Sequence, residues 1–204
     1  MVSKECERSR KRPLVLILLL ALWIPTVGFG VRVLLQYANT PGRLAVPPDS
    51  WPRSAPVPPP QDGSSLVLFL HPQCPCSRAT IGELEQIVAC CGSKVDVSVF
   101  FYTPPGLNKD WPITDLWHSA ARIPGVRVLE DPGSAVARLF GARTSGQALL
   151  YDRTRHLVFN GGITAFRGHS GINDGRESIM ALLQDGTARH SSTPVFGCAL
   201  FGEN

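Results

Sequence analysis

The stretch LVLFLHPQCPCSRATIGELEQI, residues 66–87, decides the fold. Its first five residues form a continuous apolar run, which is typical of a β-strand buried on both faces. In Ser77–Cys91 apolar residues recur at helical spacing, and Gly92 ends that pattern. The sequence Cys-Pro-Cys, residues 74–76, lies between the two. The stretch therefore predicts a buried strand, a turn that carries two thiols, and an amphipathic helix.

Strands and helices continue to alternate after this unit. Apolar runs predict further strands, and helical spacing of apolar residues predicts further helices. The predicted strands are Val95–Phe101, Val126–Glu130, Gln147–Asp152 and His156–Asn160, and the predicted helices are Ile113–Ile123, Pro132–Phe140 and Arg176–Gln184. The order β-α-β-α-β-α-β-β-α predicts an α/β domain over 64–204, a mixed sheet with helices on both faces.

An apolar segment near the N-terminus predicts a transmembrane helix over 13–35. Its core, Pro13–Val31, contains nineteen residues and no charge. As a helix this core spans roughly 28 Å, close to a bilayer core of about 30 Å. Five basic residues precede it: Lys4, Arg8, Arg10, Lys11 and Arg12. The positive-inside rule then predicts that segment 1–12 is cytoplasmic and that the folded domain is periplasmic or otherwise extracytoplasmic. The chain is thus expected to be a single-pass, membrane-anchored protein. A cleaved signal peptide is the alternative, although no clear cleavage site follows.

Residues 36–63 are predicted to be a linker. Eight prolines lie between Pro41 and Pro60, and such a density favours extended, polyproline-like conformations. The expected role is a spacer that holds the domain away from the bilayer. A ligand for a proline-recognition domain is the alternative.

Composition and cysteine content exclude several classes of protein. The net charge is +4, and no basic stripe interleaved with aromatic residues follows the N-terminal cluster, so no nucleic-acid partner is expected. The six cysteines lack the repeated C-x-x-C pairs of structural zinc sites. Cys91 falls on the apolar stripe of the first domain helix and is predicted to be core, beside Cys90. Cys6 is a juxtamembrane cysteine, either lipidated or an incidental thiol.

The position of Cys74 at the start of a helix favours a reactive thiolate. Unpaired N–H groups and the positive end of the helix dipole stabilise an anion there, so the pKa of a cysteine falls. Pro75 suits the first helical position because its missing N–H would have no partner, which makes Cys74 the N-cap residue. A disulfide to Cys76 is reachable but strained, and Cys198 is an alternative partner. An inert structural disulfide, or simple packing of Cys198, is the alternative without chemistry.

The segment Leu66–Ile87 resembles the strand, active-site loop and first helix of thioredoxins. Leu129–Asp152 resembles the segment before the cis-proline strand of membrane-anchored TlpA/ResA-type proteins. The pattern H-P-x-C-P-C-S with a late G-C is similar to the poorly characterised RedB group. The resemblance covers Leu66–Asp185. It implies a thioredoxin-like three-layer sandwich and a thiol–disulfide oxidoreductase whose substrates are protein thiols or disulfides.

The resemblance also implies roles for individual residues. Cys74 takes the position of the nucleophilic cysteine, and the usual resolving position falls on Ser77. Gly146 takes the position of the cis-proline, so Ser145 and Gly146 are expected to form a substrate-binding loop. Glycine can supply an unusual backbone angle or a close approach. It lacks the ring that shields the sulfurs, which weakens the expected specificity of disulfide exchange and leaves the sulfurs more open to a metal than in an ordinary thioredoxin.

Two histidines and one arginine are further candidates. His71 ends the first strand and is expected to orient or deprotonate a thiol, to ligate a metal, or to be an ordinary loop residue. The glycine-rich loop 160–175 carries Arg167 and His169 as candidate functional side chains, or else is a solvated connection.

Two other functions are alternatives to the oxidoreductase, which requires no cofactor. A copper-binding assembly factor would use Cys74, Cys76 and His169, by resemblance to Sco-type proteins with two nearby cysteines and a distant histidine. A peroxiredoxin-like peroxidase is a weaker alternative, because the Thr/Pro setting of a single peroxidatic cysteine is missing.

Overall fold

The computed structural model describes residues 2–43, 46–59, 62–108 and 110–202, with the backbone alone for residues 2–14. The chain forms two compact units, Met1–Thr40 and Pro41–Asn204. The predictions about the side chains of the basic cluster and of Cys6 lie outside the described residues. The last linker proline, Pro60, lies outside them as well.

The first unit is one long helix, α1 (Val2–Asn39). Its segment Val15–Asn39 contains 25 residues with a mean hydropathy of 2.0, and none of the side chains is buried. At about 1.5 Å per residue this segment reaches roughly 38 Å, enough to cross a bilayer core. The helix passes Pro25 and Gly28 without a break, which membrane helices tolerate. The unit thus contains a helix long and apolar enough to span a membrane, a property that signal sequences share.

The second unit is built around a five-stranded sheet in the order β3-β2-β1-β4-β5. The strands are β1 (Ser64–Leu70), β2 (Val95–Thr103), β3 (Val126–Pro132), β4 (Gln147–Tyr151) and β5 (Leu157–Gly162). β1, β2 and β3 are parallel, and β4 pairs antiparallel with both β1 and β5. β1 is therefore the central strand. Leu66 to Leu70 are buried, as their continuous apolar run predicts.

Helices cover both faces of this sheet. The helices are α2 (Cys76–Cys91), α3 (Asp115–Ala121), α4 (Ala135–Leu139) and α5 (Asp174–Asp185). Leu66, Leu68 and Leu70 of β1 belong to one core cluster together with apolar residues of α2, α3 and α5. Val67 and Phe69 belong to a second cluster that includes residues of α4. Successive residues of a strand point to opposite faces, so β1 contributes to both layers. The predicted α/β sandwich with a mixed sheet is confirmed.

The helix predicted over Pro132–Phe140 is shorter in the structure, where α4 spans Ala135–Leu139. The reason lies in the turn before it. Gly133 and Ser134 have left-handed φ angles of 62° and 60°. The carboxylate of Asp131 then accepts hydrogen bonds from two N–H groups in the first turn of α4, at 2.8 and 2.9 Å. These bonds satisfy donors that would otherwise lack a partner, and they fix where α4 begins.

The proline-rich segment packs against the domain, which differs from the predicted extended spacer. The ring of Trp51 lies 5.1 Å from that of Phe140 and 5.3 Å from that of Tyr151, centroid to centroid. The hydroxyl of Tyr151 donates to the carbonyl of Pro48 at 3.1 Å. Val57 is buried in the second core cluster. The apolar residues between the prolines therefore cover one face of the sheet, and residues 46–59 belong to the folded unit.

Candidate functional site

The Cys-Pro-Cys sequence lies in the loop that joins the central strand β1 to α2. The helix begins at Cys76, one residue later than an N-cap at Cys74 predicts. Pro75 already has helical angles, φ −58° and ψ −30°, and the Cys74 carbonyl accepts from the N–H of Ser77 at 3.0 Å. The first turn is thus tightened by an i to i+3 bond, and assigned helix ends commonly differ by one residue. The backbone of Cys76 at the helix start still lowers the pKa of Cys74.

The residues before β4 meet this loop because of the register of the sheet. Phe69 of β1 pairs with Gln147 of β4, and the N–H of Gly146 donates to the Phe69 carbonyl at 2.7 Å. Gly146 has a φ of +93°, and a Cβ there would lie 3.2 Å from Oγ1 of Thr80. Both properties predicted for a glycine at this position, an unusual backbone angle and a close approach, are confirmed. No cis peptide bond occurs among the described residues.

Two hydrogen bonds tie the two loops together, and a third lies within the loop after β1. The N–H of His71 donates to Oγ of Ser145 at 2.8 Å. Oγ of Ser145 and Oγ of Ser77 lie 3.0 Å apart, and the Ser77 hydroxyl also donates to the His71 carbonyl at 3.2 Å. Ser77 and Ser145 are each only 1% exposed. Because buried hydroxyls need partners, this closed network fixes the loop that carries Cys74.

The imidazole of His71 lies in an aromatic pocket. Its ring centroid is 5.4 Å from that of Tyr102 and 5.8 Å from that of Trp111. Its Nδ1 accepts from the N–H of Gln73 at 3.2 Å. Burial lowers the pKa of His71, so the ring is neutral at pH 7. The N–H and carbonyl of His71 help to position the site, while the role of its ring toward a thiol or a metal stays a prediction.

A segment near the C-terminus brings Cys198 to this site. It runs antiparallel to the residues before β4, with a bridge between Thr144 and Ala199. The N–H of Ser145 donates to the Cys198 carbonyl at 2.8 Å. A Cβ on Gly197 would lie 1.9 Å from the Ser145 carbonyl oxygen, so only glycine permits this approach. The structure therefore brings Cys198 together with Cys74 and Cys76, a relation that the sequence left open.

Cys74 is in a site that stabilises its thiolate. The residue is 1% exposed, and burial by itself raises the pKa of a thiol. Interactions with the thiol and the backbone of Cys198, the backbone of Cys76 and the side chain of Ser77 outweigh burial. The pKa of Cys74 therefore lies below its ordinary value. A thiolate is the nucleophilic form of cysteine, and also the better leaving group.

The two neighbouring thiols behave in the opposite way. Burial, contact with Cys74 and the negative charge of its thiolate raise the pKa of both Cys76 and Cys198. The guanidinium of Arg167 partly offsets this effect at each of them. Cys76 is 8% exposed, whereas Cys198 is half-buried and is the most accessible of the three thiols. The site thus pairs one stabilised thiolate with two thiols that hold their protons.

Loop 160–175 contributes one of its two candidate side chains to the site. Nη1 of Arg167 donates to the Gly197 carbonyl at 2.7 Å, and the same guanidinium faces the thiol of Cys76. His169 is exposed, and its ring packs on Phe166 with centroids 5.7 Å apart. Within the described part of the chain, no three His, Cys, Asp or Glu side chains are grouped as a metal site. The copper set of Cys74, Cys76 and His169 is therefore not assembled.

The remaining cysteine pair lies at the other end of α2. Cys91 is 2% exposed and belongs to the first core cluster, which confirms its predicted role. Its sulfur is 3.1 Å from that of the exposed Cys90, which accepts from Nε2 of Gln184 at 2.9 Å. All five described cysteines are free thiols.

One functional residue escaped the sequence analysis. Glu83 of α2 is fully buried, and its carboxylate accepts from the N–H of Gly171 at 2.7 Å, Nδ2 of Asn173 at 3.2 Å and Nη1 of Arg176 at 2.6 Å. It thereby ties loop 160–175 and α5 to the helix that carries the thiols. The signal in the sequence that could have identified it is its position as a carboxylate next to Leu84, a residue of the apolar stripe of α2.

Comparisons with known proteins supply a fold. No protein family and no curated protein matches the sequence. The solved structure of an uncharacterised conserved protein from Geobacillus kaustophilus is similar over 81% of this chain and 93% of that one, with 16% identity and a TM-score of 0.57. A hypothetical protein from Sinorhizobium meliloti 1021 is similar over 80% of this chain and 96% of that one, with 21% identity and a TM-score of 0.55.

A third structure is the exposed lipoprotein thioredoxin from Streptococcus pneumoniae strain TIGR4. It is similar over 61% of this chain and 86% of that one, with 18% identity and a TM-score of 0.42. Two features decide which fold the domain has: β1 is the central strand of the sheet, and α2 follows it directly through the loop that carries Cys-Pro-Cys. The fold is thioredoxin-like. In this thioredoxin-like domain the loop after β1 and the loop before β4 meet, and both carry site residues. The narrower resemblance to TlpA/ResA-type and RedB proteins stays a prediction.

Proposed function

We propose that this protein is a membrane-anchored, extracytoplasmic thiol–disulfide oxidoreductase that acts on protein thiols or disulfides and uses Cys74 and Cys198 as its redox pair. The observation that carries the proposal is the convergence of three thiols, of which only Cys74 has a lowered pKa. An inert structural cysteine does not require neighbours that lower its pKa against the effect of burial. Catalytic groups with perturbed pKa values are common at functional sites.

The first unit supports the proposed location. α1 contains a segment long and apolar enough to span a membrane, and basic residues precede that segment. By the positive-inside rule, the N-terminus stays in the cytoplasm and the thioredoxin-like domain lies across the membrane. Disulfides persist in such compartments.

Two observations favour Cys198 over Cys76 as the partner of Cys74. Cys198 lies on a separate segment, so a bond to it leaves the first turn of α2 intact, whereas Cys74 and Cys76 are two apart at a helix start. Residues two apart on a helix do not face each other. Cys198 is also the most accessible of the three thiols, so a substrate sulfur can reach it.

The reaction begins with the Cys74–Cys198 disulfide. A substrate thiolate attacks Sγ of Cys198, the protein disulfide breaks, and the sulfur of Cys74 leaves with the electron pair. The donors around Cys74 stabilise this thiolate, which makes it a good leaving group. A second substrate thiolate then attacks the mixed disulfide, and the released sulfur of Cys198 takes up a proton. Two substrate thiols have become one disulfide, and the protein holds two electrons.

The same steps in reverse reduce a substrate disulfide. Stabilisation of the Cys74 thiolate favours the reduced protein and therefore favours oxidation of substrates. Return to the disulfide form requires a second disulfide as the electron acceptor, by the same exchange chemistry.

The test is oxidation of a two-cysteine peptide by the purified oxidised domain, followed by mass spectrometry of the peptide. Wild type is expected to oxidise one peptide per protein, and Cys74→Ser and Cys198→Ser none. Cys90→Ser is the matched control, because Cys90 is exposed and lies at the other end of α2. Retained oxidation by Cys74→Ser would contradict the proposal. So would stoichiometric Cu(I) binding by a wild-type protein without any exchange activity.

A further inference from the structure

A cleft beside Cys198 has a lining of unusual charge. It encloses about 380 Å³ and lies between residues 41–43, residues 143–144 and the segment that carries Cys198. Three arginines line it, Arg43, Arg143 and Arg167, and the described lining contains no aspartate or glutamate. We refer to these three arginines and the space between them as the arginine cleft.

The geometry of the main chain holds the arginine cleft in place. The N–H of Gly42 donates to the Val195 carbonyl at 2.7 Å, and Oγ1 of Thr144 donates to the Arg43 carbonyl at 2.8 Å. The N–H of Leu200 donates to the Arg143 carbonyl at 2.9 Å. Nη1 of Arg167 donates to the Gly197 carbonyl at 2.7 Å. The three arginines therefore come from three separate segments that hydrogen bonds join at one place. Such convergence provides a preorganised positive site.

The arginine cleft is adjacent to the reactive thiols. Gly197 and Ala199, the two neighbours of Cys198 in the chain, both line it. Arg167 lines it as well, and its guanidinium also faces the thiol of Cys76. Cys198 itself does not line the cleft, but a ligand whose charged groups occupy it lies against both chain neighbours of Cys198 and against Arg167.

We propose that the arginine cleft binds the carboxylates of a small peptide thiol or disulfide and thereby delivers its sulfur to Cys198. The inference rests on the proposed function and names a class of substrate for it. Guanidinium groups match carboxylates in planar, two-pronged hydrogen bonds. A volume of about 380 Å³ is within the range of small-molecule sites, about 300–1,000 Å³, and suits a di- or tripeptide. A cationic thiol is rejected by the same charges, which provides selectivity.

With glutathione as the probe, the exchange balances as follows. The thiolate of one glutathione attacks Sγ of Cys198 in the Cys74–Cys198 disulfide, and Cys74 leaves as a thiolate. A second glutathione thiolate attacks the mixed disulfide, which yields glutathione disulfide and the reduced protein after Cys198 takes up a proton. The two electrons pass from two glutathione molecules to the protein disulfide.

The first experiment compares three thiols as reductants of the oxidised domain. Glutathione is anionic, 2-mercaptoethanol is neutral and cysteamine is cationic, and each rate is expressed per thiolate. Wild type is expected to react with glutathione about tenfold faster than with cysteamine. In the double variant Arg43→Gln, Arg143→Gln, the ratio of the glutathione rate to the cysteamine rate is expected to fall about tenfold. Both side chains are exposed, so the variant is expected to fold. Arg153→Gln, an exposed arginine outside the cleft, is the control and keeps the ratio.

The second experiment separates binding from redox chemistry. Calorimetry measures the binding of S-methylglutathione, which has the carboxylates but no free thiol, to the reduced domain. Binding to wild type and to Arg153→Gln, with loss of binding in the double variant, supports the arginine cleft. Failure of every thiol to reduce the protein would overturn the proposed function but would leave this support for the cleft in place. Equal rates with glutathione and cysteamine, or no binding of S-methylglutathione, would overturn the arginine cleft. Reduction by 2-mercaptoethanol would then leave the proposed function intact.

Discussion

Cys198 lies beside Cys74 and lowers the pKa of its thiol. The bridge between Thr144 and Ala199 and the bond from Ser145 to the Cys198 carbonyl produce this contact. The environment of Cys74 is therefore assembled from β1, α2 and a segment near the C-terminus. Changes in any of these parts should alter the acidity or the pairing of Cys74.

The acidity of Cys74 should depend on the thiol of Cys198. A thiolate absorbs near 240 nm, so the difference in absorbance between wild type and Cys74→Ser during a pH titration reports the pKa of Cys74. We expect a midpoint below the ordinary cysteine value of about 8.5. Cys198→Ala removes one donor and should raise the midpoint by about 1 pH unit. Cys198→Ser keeps a donor and should raise it less. A midpoint at or above the ordinary value in wild type would contradict this account of the site.

The stability of the reduced protein should rise with pH because of the same thiol. A cysteine whose folded pKa is lowered releases its proton more readily in the folded state, so the folded state gains stability as pH rises from the folded pKa to the unfolded pKa. The gain is lost as pH falls through the folded pKa. Urea denaturation of wild type and Cys74→Ser in the presence of a reductant measures it. The difference in free energy of unfolding should grow in favour of wild type up to about pH 8.5. A difference that does not vary with pH would contradict it.

Above that pH the other two thiols should act in the opposite direction. The pKa values of Cys76 and Cys198 are raised, so their contribution to stability is complete below the unfolded pKa and declines as pH rises above it. The pH dependence of wild type should therefore turn downward there. A Cys76→Ser, Cys198→Ser variant is the control and should show a smaller turn, because burial also raises the pKa of Cys91, to about 11.

Gly197 should be required for the contact between Cys74 and Cys198. Gly197→Ala places a Cβ 1.9 Å from the Ser145 carbonyl oxygen, so the segment must move away. We expect a loss of about 1–3 kcal/mol in the free energy of unfolding and disulfide formation slowed at least about tenfold. Gly202→Ala is the matched control, because a Cβ there meets nothing within 4 Å. Alkylation time courses measure the rate. An unchanged rate of disulfide formation in Gly197→Ala would contradict the close approach of Gly197 to the Ser145 carbonyl.

Glu83 should stabilise the domain from behind the site. Its buried carboxylate pairs with Arg176 at 2.6 Å, and the side chains are 0% and 13% exposed. Glu83→Gln leaves the guanidinium without a counter-charge and should cost about 3 kcal/mol in the free energy of unfolding. Glu85→Gln, on the exposed face of the same helix, should cost less than about 0.5 kcal/mol. Equal effects of the two substitutions in urea denaturation would contradict the proposed anchoring.

The fold was predictable from the sequence because its elements have local signals. The apolar run Leu66–Leu70 and the helical stripe after Cys76 are contiguous in the chain, and alternation of strands and helices indicates a mixed sheet. Gly146 was predictable as a position of unusual backbone angle from the resemblance to thioredoxins, in which the cis-proline takes this place. The chemistry of a cysteine at a helix start is also local.

The assembly of the site was not predictable in this way. The segment of Cys198 has no regular secondary structure, and its hydrogen bonds to residues 143–145 join distant parts of the chain. The proline-rich segment was predicted to extend because its composition favours that conformation, but Trp51 and Val57 bury apolar surface on the domain. Likewise, the ring of His71 turns to Tyr102 and Trp111, partners that are remote in sequence.

The pairing of Cys74 is tested most directly by disulfide mapping of the oxidised domain. Free thiols are alkylated, the protein is digested without reduction, and linked peptides are identified by mass spectrometry before and after reduction. The account predicts a peptide containing Cys74 joined to one containing Cys198, with Cys76 alkylated. A Cys74–Cys76 bond, or an oxidised protein in which Cys74 and Cys198 are both alkylated, would contradict it.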